Sequence, residues 1–267
     1  GSESSPIIQF IDSMARHKLA ERCLQFFLNK QHDDGFIQNF SNYMRETGAA
    51  LWSMGEHYRY TRDEKWVRRI KPNLLKACEY LDRWRKRNMR EELRGKGYGL
   101  MDGKAADPED PYHAFMLNGY SYLGLIRVAE MLEKSDPAQS RRIKRQALAL
   151  KADIRAAFLD CLARGPVVPI GDGSWIPTSA PWVEYQGPVC LFAQGQKWYS
   201  HGTMTVRDAL IGPLYLVFQE VLDPGEPAAD FLINFQVDLM CSRNVAFSQP
   251  YYSPHPFVHL KRDEVKP

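Results

Sequence analysis

Three helical segments of this chain lack a clear polar face, and this feature restricts the fold more than any other. They are small, apolar or aromatic on nearly every side, which is typical of helices enclosed by protein. The segments are residues 46 to 60, 113 to 133 and 206 to 222. Each contains glycine, which costs about 1 kcal/mol relative to alanine inside a helix, so we expect close packing against a neighbouring helix.

An amphipathic segment follows each enclosed one after a short turn that contains aspartate. In residues 64 to 89, apolar residues recur every three or four positions and charged residues occupy the opposite face. Residues 138 to 163 repeat this pattern, and residues 226 to 243 repeat it more weakly. Residues 6 to 30 are a further helical segment that opens the series. The order predicts repeated helical hairpins, each with one enclosed and one surface helix, as in a double ring of helices or a solenoid.

The connections from a surface helix to the next enclosed helix are long and rich in acidic and aromatic residues. Because every hairpin begins and ends at the same end of the stack, these loops must emerge together on one face. The loops are residues 31 to 45, 90 to 112, 164 to 205 and 244 onward. Such a face over a packed helical base favours a binding or catalytic site. We expect a small β-hairpin or irregular insertion near residues 164 to 205.

The first long loop contains QHDDGFIQNF, residues 31 to 40. Gly35 suits the left-handed turn that ends a helix, and Asp33 or Asp34 can accept hydrogen bonds from nearby backbone amides. We interpret this loop as mainly architectural. Asp34 is the acid in it that we expect to face the cavity and contact substrate.

Composition argues against several classes of protein. The 267 residues are 44% apolar and 25% charged, which is ordinary for a globular chain with a sizeable core. The net charge is +3 and the basic residues are dispersed over helix faces, so nucleic acid is not an expected partner. No run approaches the roughly 18 apolar residues of a membrane span, so no membrane partner is expected. The five cysteines are far apart and form no C-x-x-C pair, which predicts free thiols.

The two ends of the sequence suggest a piece of a longer chain. Gly1 and Ser2 look like a cloning remnant, so the lack of a signal pattern leaves the native location open, a secreted or periplasmic one included. At the other end, the charged and helix-like HLKRDEVKP leads to no further element. We therefore expect a single domain, residues 1 to 267, that continues beyond Pro267.

Four stretches together resemble the six-hairpin glycosidase-like superfamily of (α/α)6 toroids, which includes glucoamylase-like, rhamnosidase-like and unsaturated glucuronyl hydrolases. They are DGFIQ (34 to 38), ETGAALWSMGEHYRYTRDEKWV (46 to 67), GYGLMDGKAADPEDPYHAFMLNGYSYLGL (97 to 125) and RDALIGPLYLVF (207 to 218). The resemblance implies an all-α toroid that cleaves an oligosaccharide or polysaccharide, and no cofactor is expected. Members of the superfamily have six hairpins, whereas three to four are recognisable in this sequence. The toroid is therefore expected to be incomplete, with further hairpins after residue 267.

Three carboxylic acids are candidates for catalysis. Glycosidic bond cleavage uses one carboxyl group to protonate the leaving oxygen and one carboxylate to activate water or attack the sugar. Glu184 lies among aromatic residues in GDGSWIPTSAPWVEYQG, similar to the tryptophan- and glutamate-containing loop that carries the general acid in glucoamylase-like enzymes. Glu109 and Asp110, in DPEDPYH, are the other two, and their alternative role is to cap the helix that follows. Inversion of configuration is what the resemblance implies for most relatives.

Further loop residues are predicted to bind the sugar, because aromatic rings stack on sugar faces and polar groups hydrogen-bond to sugar hydroxyls. They are Asp34, Asp107, His113, Trp175, Trp182, Tyr185, Trp198, His201 and Tyr252. Tryptophans beside a carboxylate are costly to expose unless a ligand or partner covers them. The alternative is that the loop folds its aromatic side chains back onto the helices.

No metal site is predicted. His255 and His259 are four residues apart, but Pro254 and Pro256 are expected to prevent the helix that would align the two rings. The sequence also lacks a Ser-His-Asp pattern, a G-x-S-x-G elbow, a P-loop and a G-x-G-x-x-G motif. Carboxylate chemistry is the main enzymatic option that remains.

Alternative functions stay open. A polysaccharide lyase would use the same toroid with a Tyr or His base, and the loop tyrosines and His201 would suit it. A lyase for uronates also needs loop cations to neutralise the substrate carboxylate, and the long loops hold Lys104, Arg164 and Lys197, with Arg207 just after. A helical-repeat domain that binds glycan or protein without catalysis is the third option. Isoprenoid cyclases share the Gln-Asp-Gly element of QHDDGF, but neither their D-x-D-D acid nor their D-D-x-x-D magnesium motif is present.

Overall fold

The structure, a computed structural model, describes residues 4–38, 43–105, 112–188, 212–238 and 254–264. In these residues almost all regular structure is helical, and the remaining element is a two-stranded antiparallel sheet. The all-α fold class is therefore confirmed. None of the described helices is long and apolar enough to cross a membrane.

The described elements alternate helix with turn or loop along the whole chain. The helices are α1 (Ser4–Ser13), α2 (His17–Asn29), α3 (Glu46–Thr61), α4 (Glu64–Arg87), α5 (Phe115–Leu132), α6 (Pro137–Arg164), α7 (Tyr215–Phe218), α8 (Pro227–Gln236) and α9 (His255–Lys261), with a 3-10 turn at Glu91–Leu93. The strands are β1 (Val167–Pro169) and β2 (Trp175–Pro177), paired with Val168 opposite Ile176. This pairing confirms the β-hairpin expected after α6.

The alternation of enclosed and surface helices is confirmed for two hairpins. Side chains on nearly every side of α3 and α5 are buried. α4 and α6 each bury one stripe, from Val67 to Trp84 in α4 and from Ile143 to Cys161 in α6. α7 and α8 lie within the two later predicted segments, of which the structure describes residues 212 to 238.

The opening segment, residues 6 to 30, is a hairpin of two helices rather than the single helical segment expected. The chain turns at Ala15, whose backbone is left-handed with a φ of 57°. The N–H of Ala15 donates to the carbonyl of Asp12, and that of Arg16 to the carbonyl of Ile11, which ends α1. No glycine or proline marks this turn, so the helical pattern runs on across it in the sequence. α1 and α2 thus form a helical hairpin, in which each helix buries only one stripe.

α3 and α5 pack backbone to backbone through small residues. A Cβ atom on Gly48 would lie 2.6 Å from the backbone N of Ser121, and one on Gly124 would lie 2.5 Å from the carbonyl oxygen of Gly48. Further along the pair, Gly55 lies against Arg127, so the two helices run parallel. The close packing expected from the glycines is confirmed here.

α1 packs beside α3 in the same direction, although it buries only one stripe, Ser5, Ile8 and Asp12. Ser5, near the start of α1, hydrogen-bonds to Ser53 of α3. Asp12, near the end of α1, accepts a hydrogen bond from His57 of α3 at 2.8 Å. The later residue of α1 contacts the later residue of α3, so the two helices are parallel. We call α1, α3 and α5 the inner row, and α2, α4 and α6 the outer row.

The outer row is parallel as well, which decides where the long loops lie. An ion pair joins Lys71 of α4 to Asp136, just before α6, at 2.7 Å. Arg85, near the end of α4, pairs with Asp153, farther along α6. The first residues of α3 and α5 and the last residues of α4 and α6 therefore meet at one end of the hairpins. We call this end the long-loop face.

A buried arginine ties the inner row together near its other end. The guanidinium of Arg127 in α5 donates to Glu56 of α3 at 2.6 Å and to Glu220, which follows α7, at 3.1 Å. Burial acts to lower the pKa of Arg127, but the hydrogen bonds and charges of Glu220 and Glu56 outweigh it and raise the pKa above its usual value. The cation is thus held between two acids from different hairpins.

We expect Gly48→Ala to destabilise the protein by about 1–3 kcal/mol, because the added methyl group would force α3 away from α5. The matched control is Gly225→Ala, in the turn before α8, where the nearest atom to a new Cβ lies 3.4 Å away. Urea denaturation, with the m-value compared between variants, measures both changes. Equal midpoints for the two variants would contradict the close contact.

Candidate functional site

The structure describes about half of the predicted site residues. Those described are Asp34, His113, Trp175, Trp182, Glu184 and Tyr185. Those outside the described residues are Asp107, Glu109, Asp110, Trp198, His201 and Tyr252. Of the described set, His113, Trp182, Glu184 and Tyr185 come together on the long-loop face, at the start of α5.

Glu184 and His113 form a close pair at this place. One carboxylate oxygen of Glu184 lies 2.5 Å from Nδ1 of His113. The backbone N–H of His113 donates to both carboxylate oxygens, at 3.1 and 3.2 Å. The ring and the main chain of His113 therefore fix the position of the Glu184 carboxylate. Glu184 keeps 30% of its side-chain surface exposed, so solvent or a ligand can reach it.

Main-chain pairing places Glu184 beside His113. The segment before α5 and the loop after β2 form an isolated antiparallel bridge at Ala114 and Trp182. In the same pairing, the N–H of Val183 donates to the carbonyl of His113 at 3.3 Å. The two partners are 71 residues apart in the chain, so their contact depends on this bridge and not on local sequence.

Three aromatic residues that neighbour His113 and Glu184 along the chain pack against one another. The rings of Tyr112, Trp182 and Tyr185 contact each other, with centroids 5.2 to 5.3 Å apart. The hydroxyl of Tyr185 lies 3.4 Å from that of Tyr112. Trp182 is fully buried, whereas both tyrosines are half-buried. The indole therefore supports the tyrosine rings, and any sugar that binds in this conformation meets the tyrosines rather than Trp182.

The ring of His113 is fixed on its other side by Gly97. Gly97 has a φ of 103°, and a Cβ there would lie 2.7 Å from Cγ of His113. The Nε2 atom of His113 is buried and has no hydrogen-bond partner among the described residues. His113 therefore contacts Glu184 through its Nδ1 and its backbone N–H, whereas its Nε2 does not reach solvent.

Asp102 is a half-buried acid of this region that no sequence motif marked. Its Oδ1 accepts hydrogen bonds from Nε1 of Trp84 at 3.1 Å and from Nδ2 of Asn88 at 2.8 Å. Burial acts to raise the pKa of Asp102, but the donors Asn88 and Trp84 outweigh it, and His113 adds to the lowering, so the pKa lies below its usual value. The two donors are four residues apart at the end of α4. This spacing indicates a partner for Asp102 only when it is known that the following loop passes this end of the helix.

Asp34 and Trp175 have different surroundings from the Glu184 pair. Oδ1 of Asp34 accepts the N–H of Phe36 at 3.0 Å, and Gly35 between them has a φ of 98°. The left-handed conformation predicted at Gly35 is confirmed, but it lies in a separate turn of the loop and does not end the helix, because α2 already ends at Asn29. Trp175, on β2, is 65% exposed, so it does not fold back onto the helices as Trp182 does.

The two histidines near the end of the chain lie on one helix, contrary to the prediction. Pro254 caps α9 and Pro256 lies in its first turn, where a backbone N–H has no partner inside the helix and its loss is tolerated. The Nε2 atoms of His255 and His259 are 3.3 Å apart. Burial and then the neighbouring His259 lower the pKa of His255. Across the described ranges, no group of three or more His, Cys, Asp or Glu side chains is arranged to hold a metal ion.

Comparison of the chain with protein-family models, with curated proteins and with solved structures found no match. The resemblance to the six-hairpin glycosidase-like superfamily and the closed toroid that it implies therefore stay predictions.

We expect the stability difference between the wild type and Asp102→Asn to depend on pH. Because the folded-state pKa of Asp102 is lowered, its ionised form contributes stability above the unfolded-state pKa of about 3.9 and loses it as the pH falls through the folded-state pKa. The difference in unfolding free energy should thus be largest near about pH 7 and shrink below about pH 4. Urea denaturation across this range measures it. Asp160→Asn, which removes an exposed pair with Arg164, is the control and should change stability by less than about 0.5 kcal/mol. A difference that grows on acidification would contradict the assignment.

Proposed function

We propose that this protein is a carbohydrate-active enzyme, a glycoside hydrolase on an α/α toroid of which the described hairpins are part. The observation that supports this proposal is the setting of Glu184: a partly exposed carboxylate held by His113 beside two tyrosine rings, on the face where the long loops meet. Cleavage of glycosidic bonds requires a carboxylate in such a place. The substrate is an oligosaccharide or polysaccharide, and no cofactor takes part.

In this proposal Glu184 acts as the general base. The N–H groups of His113 hold the carboxylate in place, and its partial exposure leaves it accessible to a water molecule from which it would take a proton. This role differs from the general-acid role that the glucoamylase-like loop implies. Tyr112 and Tyr185 offer the half-buried rings against which a sugar would stack.

The proposed general acid is Asp110 or Glu109. Both belong to the short segment between Ala105 and Tyr112, and a hydrogen bond of 3.1 Å from Gly103 N to the carbonyl of Tyr112 holds the two ends of that segment together. An acid and a base about 6.5–9.5 Å apart leave room for the attacking water and give inversion, whereas about 5–5.5 Å gives retention. Inversion is the proposed outcome.

We expect Glu184→Gln to lower kcat by about 100-fold or more, since the amide keeps the shape of the side chain but cannot take a proton from water. The assay is hydrolysis of a panel of oligosaccharides, with binding measured separately by calorimetry. Glu92→Gln, which removes an exposed glutamate from the loop after α4, is the charge-matched control and should leave kcat unchanged. Full activity in Glu184→Gln would refute the proposed base.

We expect the general acid to be identified by how strongly the activity of its variant depends on the leaving group of the substrate. Asp110→Asn or Glu109→Gln, whichever removes the acid, should slow the hydrolysis of natural oligosaccharides strongly. The same variant should retain most of its activity on aryl glycosides with an acidic phenol, because departure of such a group needs no proton. Loss of activity on both kinds of substrate, or on neither, in both variants would contradict the acid assignment.

A second candidate reaction is elimination, as in a polysaccharide lyase. The observation that favours it is the contact of two tyrosine hydroxyls, those of Tyr112 and Tyr185, 3.4 Å apart beside His113. Since Nε2 of His113 is buried, a tyrosine is the base in this case. The backbone N–H of Gly103 donates a hydrogen bond to the carbonyl of Tyr112. Lys104, the next residue, would neutralise a substrate carboxylate.

The two reactions leave different products from the same substrate. Hydrolysis puts one oxygen atom of water into the new reducing end, whereas elimination leaves a carbon–carbon double bond at the new non-reducing end. Mass spectrometry of products formed in isotopically labelled water distinguishes them. Binding of a glycan without any product would instead indicate a non-catalytic glycan-binding domain.

A further inference from the structure

We propose that a basic cavity at the end of α4 binds an acidic sugar residue, a uronate or a sulfated sugar, in the glycan that the enzyme cleaves; this inference rests on the proposed function. The cavity has a volume of about 580 Å³ and lies between the first long loop and the last turns of α4. Its lining among the described residues is Asp34, Tyr80, Arg83, Trp84, Lys86 and Arg87. We call it the basic cavity.

Positive charge in the basic cavity exceeds the negative charge, because three cationic side chains line it together with one carboxylate, that of Asp34. Lys86 forms an ion pair with Asp82 at 2.6 Å. Arg83 donates to the backbone carbonyl of Asp34, a partner that carries no charge. Arg87 has no hydrogen-bond or ion-pair partner among the described residues, and it is exposed. The guanidinium charges of Arg83 and Arg87 are therefore available to an anion, and guanidinium groups match the geometry of carboxylate and sulfate oxygens.

An aromatic side chain is fixed beside these guanidinium groups. The ring of Tyr80 stacks on Phe36 at a centroid distance of 5.1 Å and lies 5.8 Å from Trp84. Burial, with a smaller effect of Asp34, raises the pKa of Tyr80 to about 12, so its hydroxyl stays protonated and can donate to an acidic group. A half-buried tyrosine next to two arginines suits a ring that carries a negative charge.

The size of the basic cavity favours a sugar over a small free anion. A water molecule occupies roughly 30 Å³ in the liquid, so the cavity of about 580 Å³ has room for a sugar ring as well as its acidic substituent. A free sulfate or phosphate ion would leave most of this volume, and the side of Tyr80, without contact.

Trp84 connects the basic cavity to the proposed catalytic site. It lines the cavity, and its Nε1 donates to Asp102 at 3.1 Å. The next residue after Asp102, Gly103, donates its N–H to the carbonyl of Tyr112, the residue before His113. The basic cavity and Glu184 are thus joined through the buried Trp84 and both lie on the long-loop face, and in this proposal the acidic residue is held away from the bond that is cleaved.

The test is binding of defined oligosaccharides to the purified protein by isothermal calorimetry at low salt. The probes are an oligogalacturonate, a sulfated carrageenan oligosaccharide that contains no uronate, a neutral malto-oligosaccharide of similar length, and sodium sulfate. We expect at least one acidic oligosaccharide to bind and to weaken at least about tenfold in Arg83→Gln/Arg87→Gln, since two charge-assisted contacts are lost. Which acidic probe binds decides between a uronate and a sulfated sugar.

The matched control is Arg68→Gln/Arg141→Gln, which removes two exposed arginines from the outer row and the same net charge. It should leave the affinity for the acidic oligosaccharide within about twofold. Equal weakening in both double variants would show a general effect of net charge and overturn the site. Equal binding of the neutral oligosaccharide, or binding of sodium sulfate as tight as that of the acidic oligosaccharide, would also overturn it.

Failure of this inference and failure of the proposed function give different results. Glu184→Gln leaves the basic cavity unchanged, so it should bind the acidic oligosaccharide as the wild type does while turnover is lost. Unaltered turnover in Glu184→Gln, together with weaker binding in Arg83→Gln/Arg87→Gln, would refute the glycosidase mechanism and keep the site. Lost turnover in Glu184→Gln with unaltered binding in the arginine variant would refute the site alone.

Discussion

The backbone contact between α3 and α5 is the constraint on which the rest of the structure depends. Gly48 and Gly124 allow the two helices to approach closer than any side chain would permit. Because the helices are parallel, their first residues lie side by side, and the loops that lead into them arrive at the same place. His113, just before α5, is thereby presented on the face that the long loops share, and the bridge between Ala114 and Trp182 brings Glu184 to it there.

The spacing of apolar residues in the sequence predicted the amphipathic helices. α4 and α6 were expected at 64 to 89 and 138 to 163 and begin and end within a few residues of those limits, because one buried stripe defines each. The turn at Ala15 was missed, since a residue with a side chain adopts the left-handed conformation there. The helix at His255 was missed because Pro256 was taken to break a helix, whereas it lies in the first turn.

The sequence predicted individual residues of the candidate site but not the contact between Glu184 and His113. Glu184 and His113 were each singled out from the residue types around them, but as separate groups with separate roles. Their contact requires the bridge between Ala114 and Trp182, which joins segments far apart in the chain. Asp102 has no distinctive neighbours in sequence, and its partners come from the preceding helix. The sequence therefore indicated which side chains could take part in chemistry. It did not predict contacts that depend on main-chain pairing between distant segments.

The common direction of the inner helices has an electrostatic consequence. Peptide dipoles add along each helix, so the start of a helix carries a partial positive charge and its end a partial negative charge, each roughly half an elementary charge. On the long-loop face, the starts of α3 and α5 lie in the inner row and the ends of α4 and α6 in the outer row. The main chain alone thus produces a positive band along the inner row and a negative band along the outer row. Glu184 lies at the positive band, whereas the basic residues that end α4 lie at the negative one, so both sets of side chains are stabilised by the field of the backbone.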